Sequence, residues 1–419
     1  MVYVISQDSK PLMPCSNPIA RLLLKQGKAK VKRREPFTIK LIYETTDYTQ
    51  DLTLGVDTGS GTIDAAVSKD NGDIVYMSEV VVRNDITDKM TQRAKYRRNR
   101  RNRKTRYRKA RWLNRSNSIK KDRFSPTMQS KLHSHVKEIE YIQSILPITE
   151  MVFETGQFDM HLMKNPSLAN PKVRPWGYQK GTNYGFENTK AMVLNRDNYT
   201  CQCCKGKHKD SKLEVHHIVF RSQGGSDEES NLITLCHTCH KDLHSGKINL
   251  KLSGKVKGNL KYATQMNSIR KQLFRLYPNA IETFGYVTKA NCLHLGVDKE
   301  HYYDACTIAT QGNAFNVKSD LYKKKCVSDG DFQKTKGIRS EQPIVTDKIC
   351  GFRKFDKVRY FGKDYFIKGR MSTGYAILMD IDGNKIDFST MPRGYKTPKL
   401  SNCKRITARS TVMTQVKVV

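Results

Sequence analysis

The sequence predicts an α/β multidomain chain in which a split core is interrupted by two insertions, with a small β-α-β-β domain ahead of it and a β-rich domain behind. Three observations predict this. The buried-strand patterns DLTLGVDT and TEMVFE lie far apart, separated by a hairpin, a basic run and a helical stretch, so one sheet must draw on distant segments. Two cysteine pairs, Cys201 with Cys204 and Cys236 with Cys239, close a separate module as C-x2-C-x31-C-x2-C. From Phe352 to about Phe388, short alternating runs are divided by Gly and Asp-Gly-Asn turns.

Composition narrows the partner. The 419 residues carry 75 Lys and Arg against 40 Asp and Glu, a formal net charge of +35, which points to a polyanion, with nucleic acid ahead of a membrane surface. No apolar run approaches the roughly 18 residues of a spanning helix, and the N-terminus lacks a signal-peptide core. The expectation is a cytoplasmic, prokaryotic protein in which Cys15, Cys292, Cys306, Cys326, Cys350 and Cys403 are reduced thiols.

In chain order, residues 1–50 read as strand VYVIS, a turn at PLMP and a helix over IARLLLKQ. Asn17 is its N-cap, Pro18 its first helical residue and Gly27 its end; strands KAKVKRR and PFTIKLIY follow. This domain reads equally as a structural cap or as an RNA-contacting unit. Over 51–84 a buried strand ends in Asp57, Gly59 to Gly61 make a tight turn, and Asp70-Asn71-Gly72 joins two further strands. Over 124–160, Ser125 and Pro126 start a helix with apolar positions Met128, Leu132, Val136, Ile139, Ile142 and Leu146, which Pro147 stops before a strand ending in Glu154. A crossover of this kind lays the second strand beside the first and brings Glu154 near Asp57. Over 251–320, His301 and Asp304 stand three apart, on one face of a helix.

The two insertions differ in chemistry. Within 85–123, Arg93 to Arg115 holds thirteen Lys or Arg in 23 residues, with no acid, Gly or Pro and with Tyr96, Tyr107 and Trp112 interleaved. A helix lying against phosphates is the reading, with Arg93, Arg97, Arg98, Arg100, Arg101, Arg103, Arg106 and Arg108 as RNA-binding residues. A linker over 161–190, rich in Pro, Gly and aromatics, leads to the cysteine-closed module at 191–250 and should let it move relative to the core. That module holds six of the eleven histidines and five of the eleven cysteines. The four paired cysteines suit a structural Zn2+; Cys203 competes with Cys204 for one position, and x2 spacing favours Cys204. Beyond, 321–419 reads as a basic linker and a small antiparallel barrel or sheet that either packs on the core or, the favoured reading, contacts nucleic acid.

Between the cysteine pairs, His216-His217, Asn231 and His240 resemble the HNH nuclease motif, a two-stranded ribbon followed by a helix. That resemblance implies that His216 and His240 hold a divalent cation, Mg2+ or Mn2+, that His217 is the general base and that Asn231 fixes its orientation. Asp57 ends the first strand of a meander, where RNase H-like nucleases place a metal ligand, although G-x-D-x-G also occurs in ATP-binding sugar kinases on a related fold. With Glu154, His301 and Asp304 the set resembles a RuvC-type active site, again implying Mg2+ or Mn2+.

The order of parts, split RuvC-like core, bridge helix and inserted HNH domain, is that of CRISPR type II effectors. PLMP, GVDTG, the arginine-rich run, YQKG at Tyr178 to Gly181 and HYYDA resemble the IscB family of transposon-encoded RNA-guided nucleases. The stretch between Arg115 and Glu154 has no room for a recognition lobe, so the resemblance implies that a bulky guide RNA does part of its work. His216 departs from the aspartate of many CRISPR effectors, which bears on metal preference. The implied activity is RNA-guided cleavage of double-stranded DNA next to a short flanking motif, HNH cutting the guide-paired strand and the RuvC-like site the displaced one. The alternatives are an unguided HNH homing or restriction-like endonuclease and a non-cutting RNA-guided binding protein.

Overall fold

The computed structural model describes residues 1–103, 124–223, 225–249, 260–298, 300–328, 348–392 and 395–417, with only the backbone at 100–103 and 222. It divides into two compact units, Met1–Gly156 with Gln265–Val419, and Gln157–Thr264.

The first unit opens with β1 (Val2–Ile5), β2 (Pro11–Cys15), α1 (Asn17–Lys25), β3 (Ala29–Arg34) and β4 (Phe37–Leu41), in sheet order β2-β1-β4-β3. The PLMP segment is therefore a strand and not the expected turn. Pro11 pairs with Ile5 on an edge strand, where its missing N–H breaks no inner ladder. Ser16, extended at φ −72° and ψ 157°, takes the N-cap place expected of Asn17.

Next come β5 (Leu52–Thr58), β6 (Thr62–Lys69) and β7 (Asp73–Val81), an antiparallel meander whose second turn uses Gly72 at φ +82°. Helix α2 (Ile86–Arg103) carries the start of the arginine run, with Arg93, Arg97 and Arg98 exposed. Arg106 and Arg108, and the side chains of Arg100, Arg101 and Arg103, lie outside the described residues. Helix α3 (Pro126–Gln143) begins at Ser125, whose hydroxyl accepts the Met128 N–H at 3.4 Å, and leads to β8 (Glu150–Thr155).

The second unit holds α4 (Met160–Lys164), α5 (Arg174–Gly177), α6 (Thr189–Arg196), β9 (Leu213–His217), β10 (Leu232–Cys236) and α7 (His237–His244). Strands β9 and β10 form an antiparallel ribbon with His217 opposite Leu232, and α6 packs Met192 and Val193 against it.

The chain then adds α8 (Lys261–Leu276), which enters the first unit at Gln265, β11 (Ile281–Phe284), α9 (Gly285–Leu295), α10 (His301–Ala309), β12 (Asn316–Val317) and β13 (Leu321–Cys326). Last come β14 (Lys357–Tyr360), β15 (Lys363–Arg370), β16 (Ala376–Met379), β17 (Lys404–Thr407) and β18 (Val412–Lys417). Strands β14 to β17 make a separate antiparallel sheet, as the alternating runs suggest. The central sheet has eight strands, β11-β8-β5-β6-β7-β13-β18 with β12 beside β7. The basic run over β13 is thus a core strand rather than the start of a linker. Lys324 is buried, and its ammonium donates to both Glu138 oxygens, at 2.7 and 2.9 Å, and to the Tyr76 hydroxyl at 2.7 Å.

The central sheet is covered on both faces. Leu52, Leu54, Val56, Ile63 and Ala65 pack with Ile139 and Ile142 of α3 and with Ile269 and Leu273 of α8. The opposite face, with Ala66 and Met77, packs against Ala305, Cys306 and Ala309 of α10. Gly55 permits this second contact. A Cβ at position 55 would sit 2.3 Å from the Ala309 nitrogen and 2.7 Å from the Ala305 oxygen, so α10 lies with its backbone on β5. Asp57 is two residues along that strand, and the approach delivers Asp304 to it. We therefore expect Gly55→Ala to destabilise the first unit by about 1–3 kcal/mol, read as a lowered midpoint in thermal unfolding; an unchanged midpoint would mean that α10 is not seated on Gly55.

Candidate active site

Strand pairing builds the first constellation. Asp57 on β5 faces Glu154 across the parallel pair with β8 and Asp64 across the antiparallel pair with β6, and Asp64 in turn faces Glu79 on β7. Directly paired residues project to the same side of a sheet, so the four acids form one row on the α10 side. Helix α10 adds His301 and Asp304, and ligand atoms of Asp57, His301 and Asp304 all lie within 4.8 Å of one another. Glu154 stands outside that tight trio, at the strand position next to Asp57, and its Oε2 is buried without a partner.

The electrostatics are unbalanced. Burial, then the charges of Glu154 and Asp304, push Asp57 up to about 7. Burial, then Asp57, Glu79 and Asp304, push Asp64 up to about 8. Burial also raises Glu154, against the hydrogen bond from Thr288. Carboxylates gathered in this way hold their charge only when a cation joins them. Oxygen and imidazole donors fit Mg2+ or Mn2+.

The second constellation lies in the other unit. Sulfurs of Cys201, Cys204, Cys236 and Cys239 lie within 4.8 Å of one another, a donor set that fits zinc. Cys203 is not in the group, so Cys204 occupies the position that the spacing leaves open. The backbone N–H of His208 heads the causes that pull Cys204 down to about 6, while burial pushes Cys236 and Cys239 up. Cys236 ends β10 and caps α7, accepting the Cys239 N–H at 3.5 Å, so the staple fixes where that helix starts.

That helix carries His240 and His244, four apart on one face, and β9 points His216 at them. The three rings stand 4.6 to 5.2 Å apart, and their ligand atoms lie within 4.8 Å of one another. Burial, then the neighbouring histidines, pushes His216 down to about 4, which keeps it neutral and fit to bind a cation. Glu214 accepts from His240 Nδ1 at 2.8 Å and so leaves Nε2 as the donor to a metal.

His217, next along the strand, faces away from His216. Its Nε2 is 2.7 Å from Asp227 Oδ1, and Arg221 pairs with the same carboxylate. Asn231 does not hold His217, contrary to expectation. Its Oδ1 accepts the Val219 N–H at 2.8 Å, and its Nδ2 donates to the carbonyls of Val219, at 3.0 Å, and Ser226, at 2.8 Å. It braces the loop between the ribbon strands, and Asp227 does the orienting.

Residues 2–181 match the RRXRR protein family, and residues 201–246 match the HNH endonuclease family. Together the matches span more than half of the chain. Arg97-Arg98-Asn99-Arg100-Arg101 has the pattern for which the first family is named. The chain carries an HNH endonuclease domain, and the two family matches liken it to HNH nucleases of the IscB/Cas9 type. Over 69 residues it is 35% identical to Anaredoxin of Nostoc sp. (strain PCC 7120), a match covering 16% of this chain and 88% of that protein. Over 65 residues it is 37% identical to the type IV methyl-directed restriction enzyme EcoKMcrA of Escherichia coli (strain K12), covering 14% of this chain and 23% of that enzyme. The HNH match makes this chain an endonuclease, and His216, His240 and His244 all lie within the matched residues. Among the described residues no helix is long and apolar enough to cross a membrane.

Four residues of the two constellations escape a sequence reading. His244 was signalled by its spacing from His240, and Glu214 by alternation with His216 on β9. Asp227 and Asp64 carried no local signal, since a loop fold and a strand register bring them in.

Proposed function

We propose that the protein is an RNA-guided DNA endonuclease with two active sites, the HNH module cutting the guide-paired strand and a RuvC-like carboxylate site cutting the displaced strand next to a short flanking motif. The observation that carries this is the presence of two chemically distinct, cation-ready constellations in separate units of one strongly basic chain.

In the HNH module His217 is the base. With its Nε2–H donated to Asp227, the unprotonated Nδ1 takes a proton from the attacking water. Asn231 holds the loop that carries Asp227. His216, His240 and His244 would hold a divalent cation, and Asp57, Glu154, His301 and Asp304 would hold cations at the second site. Such a cation, when bound, supplies charge stabilisation at the scissile phosphate and the leaving oxygen.

Helix α2 supports guide binding, because Arg93, Arg97 and Arg98 are exposed along it. Nearby, Arg33, Arg83, His133 and Lys137 line a cavity of about 1040 Å³ in the same unit. Replacing Arg97, Arg98, Arg100 and Arg101 with alanine keeps helix propensity, so guide affinity should fall and its salt dependence should flatten by roughly one unit of slope per lost phosphate contact. Equal affinities and slopes for parent and variant would place the RNA elsewhere. The function itself is tested by sequencing RNA that copurifies with the protein, changing its guide portion and mapping the cut. Cleavage should follow the new guide; a cut that stays at one DNA sequence whatever the RNA would favour an unguided endonuclease, the reading that likeness to a restriction enzyme supports.

A further inference from the structure

Two acids of the carboxylate row, Asp64 and Glu79, have no role in the proposed function, and of the two only Asp64 is buried. It is 1% exposed, and neither of its oxygens has a hydrogen-bond partner. Buried polar groups are nearly always satisfied, so such an atom asks for an explanation. Among the described residues six buried side-chain polar atoms are unpartnered, and three of them belong to the carboxylates flanking Asp57: both oxygens of Asp64 and Oε2 of Glu154.

Placement rules out the ordinary remedies. The strand neighbours of Asp64 in register are Asp57 and Glu79, both acids. Below it on the same face come Ala66 and Ser68, and the Ser68 hydroxyl is already given to the Ala309 carbonyl at 2.8 Å. On the nearby basic strand β13, Lys323, in register with Glu79, pairs with Asp382 at 3.3 Å, and the Lys324 ammonium goes to Glu138 on the other side of the sheet. What remains open to Asp64 is the side toward Asp57, which is itself only half-buried and so reachable from solvent.

We propose that Asp64 is an additional carboxylate ligand for divalent cation at the Asp57 site, reaching it from within the sheet on the side of Asp57 opposite Glu154. This rests on reading the Asp57, Glu154, His301 and Asp304 constellation as a cation-binding centre. With Asp64 included, one cation is shared by Asp57, His301 and Asp304 above the sheet, and the unpartnered oxygens of Asp64 and Glu154 flank Asp57 along it. Asp64 does not touch substrate, because it is sealed from solvent.

The test uses the full-length protein carrying His216→Ala and His240→Ala, which removes the HNH cation site, and Mn2+ as the probe. Calorimetry and Mn2+ electron paramagnetic resonance then report only the carboxylate centre, with no dependence on cleavage. Relative to that parent, Asp57→Asn should abolish Mn2+ binding, and the isosteric Asp64→Asn should weaken it at least tenfold or remove one ion from the stoichiometry. Asp64→Asn should also raise the midpoint of thermal unfolding without metal, since a bare buried acid is gone, while shrinking the rise that Mn2+ produces. This second readout guards against a variant that merely misfolds. Equal Mn2+ affinity and stoichiometry in parent and Asp64→Asn, with binding still lost in Asp57→Asn, would overturn the role of Asp64 alone. Binding untouched by Asp57→Asn would overturn the cation-centre reading and the assignment of Asp64 with it.

Discussion

His217→Ala should lower cleavage by the HNH module about 10²–10⁴-fold while leaving its cation site intact. The reason is the division of labour on β9. His216 turns toward His240 and His244, whereas His217 turns the other way, toward Asp227. Removing His217 takes away the base without touching a ligand, so Mn2+ affinity of the module should be unchanged. His216→Ala should do the opposite and lose cation binding first. Single-turnover rates on DNA labelled in the paired strand, with Mn2+ titration of both variants, separate the two. A His217→Ala protein that cut that strand at the parent rate would remove His217 from the chemistry.

Loss of the zinc staple should have an effect just as large. In Cys236→Ser the second unit should release its zinc, and the ribbon and α7 should unfold, abolishing the HNH cut while cleavage at the carboxylate site survives. The module has little else to hold it. Ile233 and Leu235 are buried among the cysteines themselves, the other apolar cluster is the small one of Met192, Val193 and Leu232, and a two-stranded ribbon is not stable alone. Cys236 contributes twice, as a thiolate and as the N-cap of the helix bearing His240 and His244. Zinc content by atomic absorption and limited proteolysis mapped to residues 201–246 check this. Unchanged zinc content in Cys236→Ser would show that the four sulfurs are not the staple.

Local signals carried much of this architecture. The mixed α/β class follows from alternation in β5 to β7 and helical spacing in α3, and the cysteine spacing marks the HNH module before any fold is known. What is not legible depends on contacts between distant segments. PLMP looks like a turn because of its two prolines, yet an edge position tolerates Pro11 in a strand. LYKKKC looks like a basic linker, yet Glu138 and Tyr76 neutralise and bond its middle lysine inside the core. The orienting partner of His217 is misread for the same reason: Asn231 is near in the motif, but the fold of the intervening loop brings Asp227 to the ring. Asp64 appears in the row only once β5 and β6 are in register, and Gly55 becomes meaningful only when α10 lies on it.

The central claim, two sites acting on two strands, is tested most directly by one strand-resolved cleavage measurement. A guide-programmed target carries a different fluorophore on each strand, and the parent, His217→Ala, Asp57→Ala and the double variant are compared in Mg2+. The parent should cut both strands. His217→Ala should leave only a nick in the displaced strand, Asp57→Ala only a nick in the guide-paired strand, and the double variant should bind without cutting. Either single variant cutting both strands at the parent rate would contradict the account.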